Sequence, residues 1–465
     1  VAAKAVLTTG GGTTIGDAAR EMARNHISSI IVLSADGRPA GIVTDRDLRE
    51  TVVAQARSYE DTVRDIMSAP LVLVDGRDYC FEAILKMIRH KIHHILVMKD
   101  GALSGVLTNH DLMLLQGSSP LSFAKDLESQ ETVEGLVPLS EKINRVVGLL
   151  LKEGARGSSI ARIVTELHDR LVRKVLEIAE QKFGGPPVTY CWIVFGSEGR
   201  REQAFKTYQD NAILLAYEGE VVPEAVRNYF TAFAAFVRDG LLRCGFPLNL
   251  NGRMASDPAW CQPLGVWKRY VYEWVMLPRP ATVRNAPAFF DFRPVFGDAA
   301  LAEALRNHLG TVLKGRRAFL ERLAERTVRI TPPIGFFKSF VVEKGGAHRN
   351  ELNLRDKGIA PLVDCIRLFA LERGVRETST IERIEALRAD HPVMREHADE
   401  IEHAFEFLML LRIHHRYART AEGKADNYVD PDTLSHLEKR SLKDAFQLIA
   451  KVQDLIVERY QSVAW

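Results

Sequence analysis

The sequence predicts an α/β protein that ends in an all-α region. Three observations carry this prediction. A strand-and-helix unit occurs twice within residues 1–115. An apolar run, Val188–Phe195, delivers Gly196-Ser197 into a helix start, and a second run, Ala212–Tyr217, follows it. Beyond Gly297-Asp298 long amphipathic stretches replace strands. At 465 residues the chain exceeds one ordinary domain, and length alone suggests roughly three. The expected division is 1–118, 119–185, 186–298 and 299–465.

In the first part, Gly41-Ile-Val-Thr44-Asp-Arg-Asp47-Leu48 recurs as Gly105-Val-Leu-Thr108-Asn-His-Asp111-Leu112, a spacing of 64. Upstream, Ile30–Leu33 with Asp36-Gly37 matches Ile95–Met98 with Asp100-Gly101. Asp-Gly between apolar runs signals a hairpin. Ile15–Asn25 and Cys80–Lys91 carry apolar residues at helical spacing. Each copy therefore reads strand–helix–strand–turn–strand–helix. These words resemble a pair of CBS domains, the adenosine-nucleotide-sensing α+β module, and the resemblance covers both copies. It implies two clefts for an adenine nucleotide, with Thr44, Asp47, Thr108 and Asp111 holding ribose and phosphate. The same Thr and Asp are also ordinary helix N-caps, worth about 1 kcal/mol without any ligand. His93 and His94 read as half-exposed strand-edge residues. Adjacent strand residues face opposite ways, so the two do not form a metal pair.

Gly117-Ser-Ser-Pro120 ends the repeat with breaker chemistry, and helical patterns such as Ile143–Lys152 and Ile160–Gln181 follow. They form a neck that is either a signal carrier or a spacer. His168-Asp169 invites an HD-phosphohydrolase reading. No second His/Asp set stands nearby, so the pair reads as surface or core.

The strand–Gly196-Ser197–helix arrangement suits a phosphate, because small residues let backbone N–H groups approach an anion. Asp210 heads the next strand, placed to hold a metal beside those phosphates. Residues 186–298 resemble the nucleotidyltransferase domain fused to CBS domains, itself similar to the N-terminal part of PII-protein uridylyltransferases. The carrying words are Gly196-Ser-Glu-Gly-Arg200-Arg-Glu-Gln203, Thr207-Tyr-Gln-Asp-Asn211 and Phe289-Phe-Asp-Phe-Arg-Pro294. The resemblance implies a mixed sheet, MgNTP as substrate with Mg²⁺ held by Asp210 and Asp291, and phosphates held by Gly196, Ser197 and Arg200. That chemistry needs two or three carboxylates around Mg²⁺. The family has Asp at both ends of an Asp-x-Asp triplet, but here the first is Tyr208. A phenol is uncharged at pH 7. Gln209 does not replace the missing acid, since it points to the other strand face. Arg200 and Arg201 also read as a solvated helix face, and Arg293 as an ion-pair partner for Asp291. The loop Asn251–Asp257 borders the site.

Amphipathic stretches at Ala299–Thr327, Ala360–Arg373, Thr380–Ala389, Glu400–Thr420 and Asp432–Tyr460 predict a C-terminal helical bundle. It resembles the substrate-binding domain of the same family, through Leu352–Pro361, Leu410–His415 and Asp426-Asn427-Tyr428. Arg355, Lys357 and Arg412 are candidate triphosphate cations.

Composition sets outer bounds. With 46% hydrophobic and 26% charged residues and a net charge of +2, no global field draws the chain to nucleic acid or membrane. Its five scattered cysteines form no Cys-x-x-Cys pair, which fits a reducing, cytoplasmic setting. The chain opens on Val, as a fragment lacking an N-terminal part would. The leading expectation is a CBS-regulated nucleotidyltransferase, PII-uridylyltransferase-like, that moves NMP to an acceptor such as a signalling protein, from a homodimer. The rival is a catalytically impaired pseudo-transferase acting as an adenine-nucleotide-sensing regulator. A third reading is a small-molecule transferase of the antibiotic-modifying type.

Overall fold

A computed structural model describes residues 6–78, 80–108, 111, 120–249, 253–277, 287–335, 339–420 and 426–460, which fall into two compact units, 1–125 and 126–465. Asn109-His110, Leu112 and Gly117–Ser119 of the repeat and its end, and Asn251-Gly252 of the central loop, lie outside the described residues.

The first unit contains the repeat. Its strands are β1 (Thr8–Gly10), β2 (Ser29–Leu33), β3 (Pro39–Thr44), β4 (Leu73–Asp75), β5 (His94–Lys99) and β6 (Ala102–Thr108). They form two three-stranded sheets, β1-β2-β3 and β4-β5-β6, each with a parallel outer pair and an antiparallel hairpin. The registers also repeat. Ser29 faces Thr44 and His94 faces Thr108, and both hairpins bulge at the same place, Val32/Leu33 and Val97/Met98. Gly37 and Gly101 sit at φ +77° and +80°, which the Asp-Gly turns require and only glycine adopts without strain. Thr14 caps the helix Ile15–Arg24 by accepting from the Asp17 N–H. Ile15, Ala18 and Met22 of that helix are buried in one core with Ile30, Val32, Val43 and Val63. Fully burying a large aliphatic side chain contributes about 1.5–3 kcal/mol.

In the second unit, β7 (Tyr190–Val194) and β8 (Asn211–Leu215) are buried at all five positions each. They are the middle strands of a mixed sheet whose order is β10 (Arg293–Gly297), β7, β8, β9 (Cys261–Pro263). Only the β8–β9 pair is parallel. The helix Gly157–Phe183 packs on Glu224–Arg243 and on β10, and the helix Ala299–Leu313 packs on Leu264–Met276 and on the middle strands. Gly157–Phe183 is buried along most of its length, and the Ser158 N–H donates to Glu406 at 3.1 Å. This part of the expected neck is therefore core of the unit rather than a spacer. His168-Asp169 lies in that core, as the absence of a partner set suggested.

The stretch Ala299–Thr327 divides at Gly315, whose φ is +72°, into the helices Ala299–Leu313 and Arg317–Thr327. The helices Ala360–Arg373, Thr380–Leu387, Pro392–Thr420 and His436–Tyr460 complete the bundle, joined by a small ladder of β11 (Leu352–Asn353) and β12 (Tyr428–Val429).

Candidate functional site

The Gly-Ser turn follows β7 after one residue, Phe195, and opens a single helical turn, Gly196–Gly199. Gly196 lies at φ +64°, and a Cβ there would stand 3.4 Å from Asp210 Oδ2. At Gly199 a Cβ would fall 2.0 Å from the Asp291 carbonyl oxygen. Glycine at these two positions lets the turn sit close against both acids. The Phe195 N–H donates to the Asp210 carbonyl at 3.2 Å, which fixes Asp210 at the head of β8.

Around Asp210, the amide of Asn249 donates to Oδ1 at 2.5 Å and Arg253 Nε stands 3.3 Å from the same oxygen. Oδ2 faces Gly196. Burial raises the Asp210 carboxyl above its usual range, although Arg253 and Asn249 pull the other way. Gln209 is buried, and its amide donates to the Arg238 and Phe246 carbonyls at 3.1 and 3.0 Å. Tyr208 points outward at 50% exposure. The alternation inferred for 208–210 is present in the structure, and the family's first acid position carries an exposed phenol.

Asp291 is fully buried among arginines. Arg200 Nη1 and Arg367 Nη2 each lie 2.7 Å from Oδ2, and Arg383 Nη2 lies 2.8 Å from Oδ1. Burial alone would raise this carboxyl, but Arg367, Arg383 and Arg200 outweigh it and hold it far below the usual range. The expected role of Asp291 as a Mg²⁺ ligand does not fit this geometry, because guanidinium groups occupy both oxygens. Arg200, expected on a phosphate, is held between Glu202 at 2.6 Å and Asp291 with its side chain 11% exposed, not on a solvated face. Arg293 pairs with Asp169 through two bonds of 2.7 and 2.8 Å rather than with Asp291.

Among the described residues Asp210 Oδ2 carries no bonded cation, Glu202 gives one oxygen to Arg200 and the other to the Thr380 N–H, and Arg293 reaches only the backbone carbonyl of Glu198. Glu198 is buried and pushed up to about 8 by burial and by Asp169, against Arg293. Among the described residues no group of three His, Cys, Asp or Glu is arranged to hold a metal. The donor set therefore does not fit a carboxylate-bridged metal pair.

The helical region brings cations instead. Its three matched words converge: β11 pairs with β12, the Leu354 N–H donates to the Asn427 carbonyl at 3.0 Å, and Arg412 Nε donates to Asn427 Oδ1 at 2.7 Å. Arg416 Nη2 reaches the Lys206 carbonyl at 3.4 Å and its guanidinium lies over the Phe205 ring at 4.7 Å. Arg355 is near enough to lower the Asp210 carboxyl. Burial, with Arg416 and Arg355 beside it, brings Arg412 down to about 9. Lys357 is turned away and pairs with Glu343 at 2.9 Å. Sequence reasoning missed Asn249, Arg416, Arg367 and Arg383, and it placed the loop that carries Arg253 at the site without assigning that residue a role. Arg367 carried a signal, since it interrupts the apolar run Leu362–Ala370.

In the first unit the two signature pairs are equivalent. Thr44 Oγ1 donates to Asp47 Oδ2 at 2.6 Å, and Thr108 Oγ1 to Asp111 Oδ2 at 2.5 Å, with the Thr N–H on the same oxygen in each case. Both are capping boxes, and Ser68 adds a bond of 3.0 Å to Asp47 Oδ1. His94 bonds Ser28 of the first copy at 2.9 Å.

A repeated α+β module and a mixed sheet carrying a Gly-Ser turn beside an acid define a CBS-type pair followed by a nucleotidyltransferase-type domain. Family models agree in four stretches. CBS domains match at 1–54 and 63–117, the family described as "Putative nucleotidyltransferase DUF294" at 141–281, and the "Putative nucleotidyltransferase substrate binding domain" at 317–460. The chain thus belongs to the proteins that fuse CBS domains to a DUF294 nucleotidyltransferase domain and its substrate-binding domain. Among curated proteins, the CBS domain-containing protein CBSCBSPB2 of Arabidopsis thaliana is 31% identical over 102 residues, 22% of this chain and 19% of its own length. Uncharacterized protein MK0525 of Methanopyrus kandleri is 30% identical over 118 residues, 25% of this chain and 60% of its own. The chain therefore spans less than two thirds of either relative. Among solved structures, CBS domain protein PAE2072 of Pyrobaculum aerophilum, complexed with AMP, is 28% identical across 24% of this chain and 92% of that one, with a TM-score of 0.22. A CBS-domain protein from Burkholderia ambifaria is 29% identical across 25% and 86%, with a TM-score of 0.24. No helix among the described residues is long and apolar enough to cross a membrane.

Proposed function

We propose that the protein is a nucleotide-sensing regulator built on a nucleotidyltransferase frame. Its CBS pair takes an adenine nucleotide at Thr44/Asp47 and Thr108/Asp111. Its central cleft takes the phosphates of a nucleotide on the Gly196-Ser197 turn and on Arg355, Arg412 and Arg416. The observation that carries this reading is the state of the acids. Asp291 is occupied by three arginines and Tyr208 replaces the acid two residues before Asp210, which leaves one carboxylate where metal-assisted transfer uses two or three.

The second reading is transfer of NMP to an acceptor protein. The position of Asp210 Oδ2 over the Gly-Ser turn favours it. One experiment separates the two readings: each α-labelled NTP is incubated with Mg²⁺, cell lysate and either wild-type protein or Tyr208→Asp. The regulator reading expects nucleotide bound by both and label transferred only by the variant, if at all. Transfer by the wild type that Asp210→Ala abolishes would replace it with the enzyme reading.

A further inference from the structure

A cavity of about 700 Å³ lies between the helices Ala299–Leu313, Arg317–Thr327, Ala360–Arg373 and His436–Tyr460. Eight of its lining residues are Arg or Lys, and Glu372 is the sole acid among them. Glu372 is already occupied, by Arg459 at 2.7 Å and the Tyr460 hydroxyl at 2.6 Å. At the rim, the side chains of Lys314, Arg316 and Arg373 make no ion pair or hydrogen bond among the described residues. At the inner wall Arg383 is 2% exposed, and its Nη1 also has no hydrogen-bond partner there. A buried guanidinium nitrogen without an acceptor costs free energy, and like charges gathered on one cavity repel. An anion in the cavity offsets both. Leucines of the same wall, Leu309, Leu313 and Leu320, offer an apolar surface beside the cations. The volume falls in the range of small-molecule sites.

We propose that this cavity is a binding site for a small phosphorylated molecule, separate from the Gly196–Asp210 cleft. Its phosphates meet Lys314, Arg316 and Arg373 at the rim and Arg383 within. Arg383 also links the cavity to the cleft. Its Nη2 bonds Asp291, which in turn bonds Arg200, the residue that ends the Gly-Ser helical turn. An occupant that draws on Arg383 therefore acts on the cage behind the turn.

The test is calorimetry of the full chain with inorganic tripolyphosphate in EDTA. Arg316→Ala combined with Arg373→Ala, both exposed and outside any bonded network, should weaken binding about tenfold or more, the worth of a lost charge-assisted bond. Ser197→Asp, which places a negative charge at the Gly-Ser turn, should remove only binding at that turn and leave intact the binding component that the rim variants lose. A second rim variant, Lys314→Glu, should repeat the loss, with thermal melting confirming that each variant is folded. Loss in Ser197→Asp alone would place the anion at the turn and overturn the cavity site while leaving the proposed function standing. No saturable binding at millimolar tripolyphosphate, or equal affinity in the rim variants and the wild type, would also overturn it.

Discussion

The surroundings of Asp210 and of Asp291 are two answers to the burial of a carboxylate. At Asp291 three guanidiniums close on two oxygens, and nothing remains for a ligand. At Asp210 an amide and one arginine share Oδ1, while Oδ2 looks onto a glycine. The first region is neutralised many times over and holds the sheet to the helices. The second is left short of positive charge, and its carboxyl is raised by burial. A buried acid is thus structural or functional according to how its lone pairs are filled, not according to its depth.

The largest effect should come from breaking the cage. Asp291→Ala leaves the buried Arg367 and Arg383 and the largely buried Arg200 around a missing charge, and removing one member of such a network costs about 3–5 kcal/mol. Asp210→Ala should cost less than about 1–2 kcal/mol, since it relieves the burial of an under-compensated acid. Urea unfolding followed by tryptophan fluorescence measures both, and equal losses would erase the distinction between the two regions.

Glu198 sharpens the comparison through pH. Its folded pKa, about 8, stands above the ordinary 4.5, so between these values the native state holds a proton that the unfolded chain has released. Stability contributed by the protonated form is complete below about pH 4.5 and is lost as pH rises toward 8. Glu198→Gln should flatten that decline and stabilise the protein at pH 8 by on the order of a few kcal/mol, read from melts across the window. An unchanged slope would show that Glu198 ionises freely in the fold.

Two smaller effects follow. Arg416→Ala should weaken nucleotide binding about tenfold, measured by titration, with little change in stability. A loss of stability without a loss of affinity would assign Arg416 to packing on Phe205 alone. Asp47→Ala and Asp111→Ala should each cost about 1 kcal/mol through the lost capping box. Adenine-nucleotide affinity that survived both substitutions would leave the capping role as their whole contribution.

The repeat was legible because its information is local. Two words 64 residues apart, with the Asp-Gly turns upstream of them, carry the hairpins and the caps, and the structure adds matched bulges. That Tyr208 and Gln209 face opposite ways followed from strand alternation in the same way, whereas the exposure of Tyr208 did not. The cage did not, because each partner of Asp291 is set by tertiary packing: Arg200 is 91 residues away and Arg367 is 76. Arg293, beside Asp291 in sequence, instead finds Asp169 at a separation of 124. A sequence shows an acid in an apolar run as a group needing compensation. It does not show which of many arginines supplies it.

The cage also bears on how the chain is made. Asp291 leaves the ribosome 76 residues before Arg367, and Arg383 follows later still. At roughly 5–20 residues per second, the sheet waits on the order of 4–15 s with its central acid held by Arg200 alone. The transferase-like sheet is accordingly not a portable module. Cut free of the helices that follow, it should expose an unfinished core to proteases and chaperones.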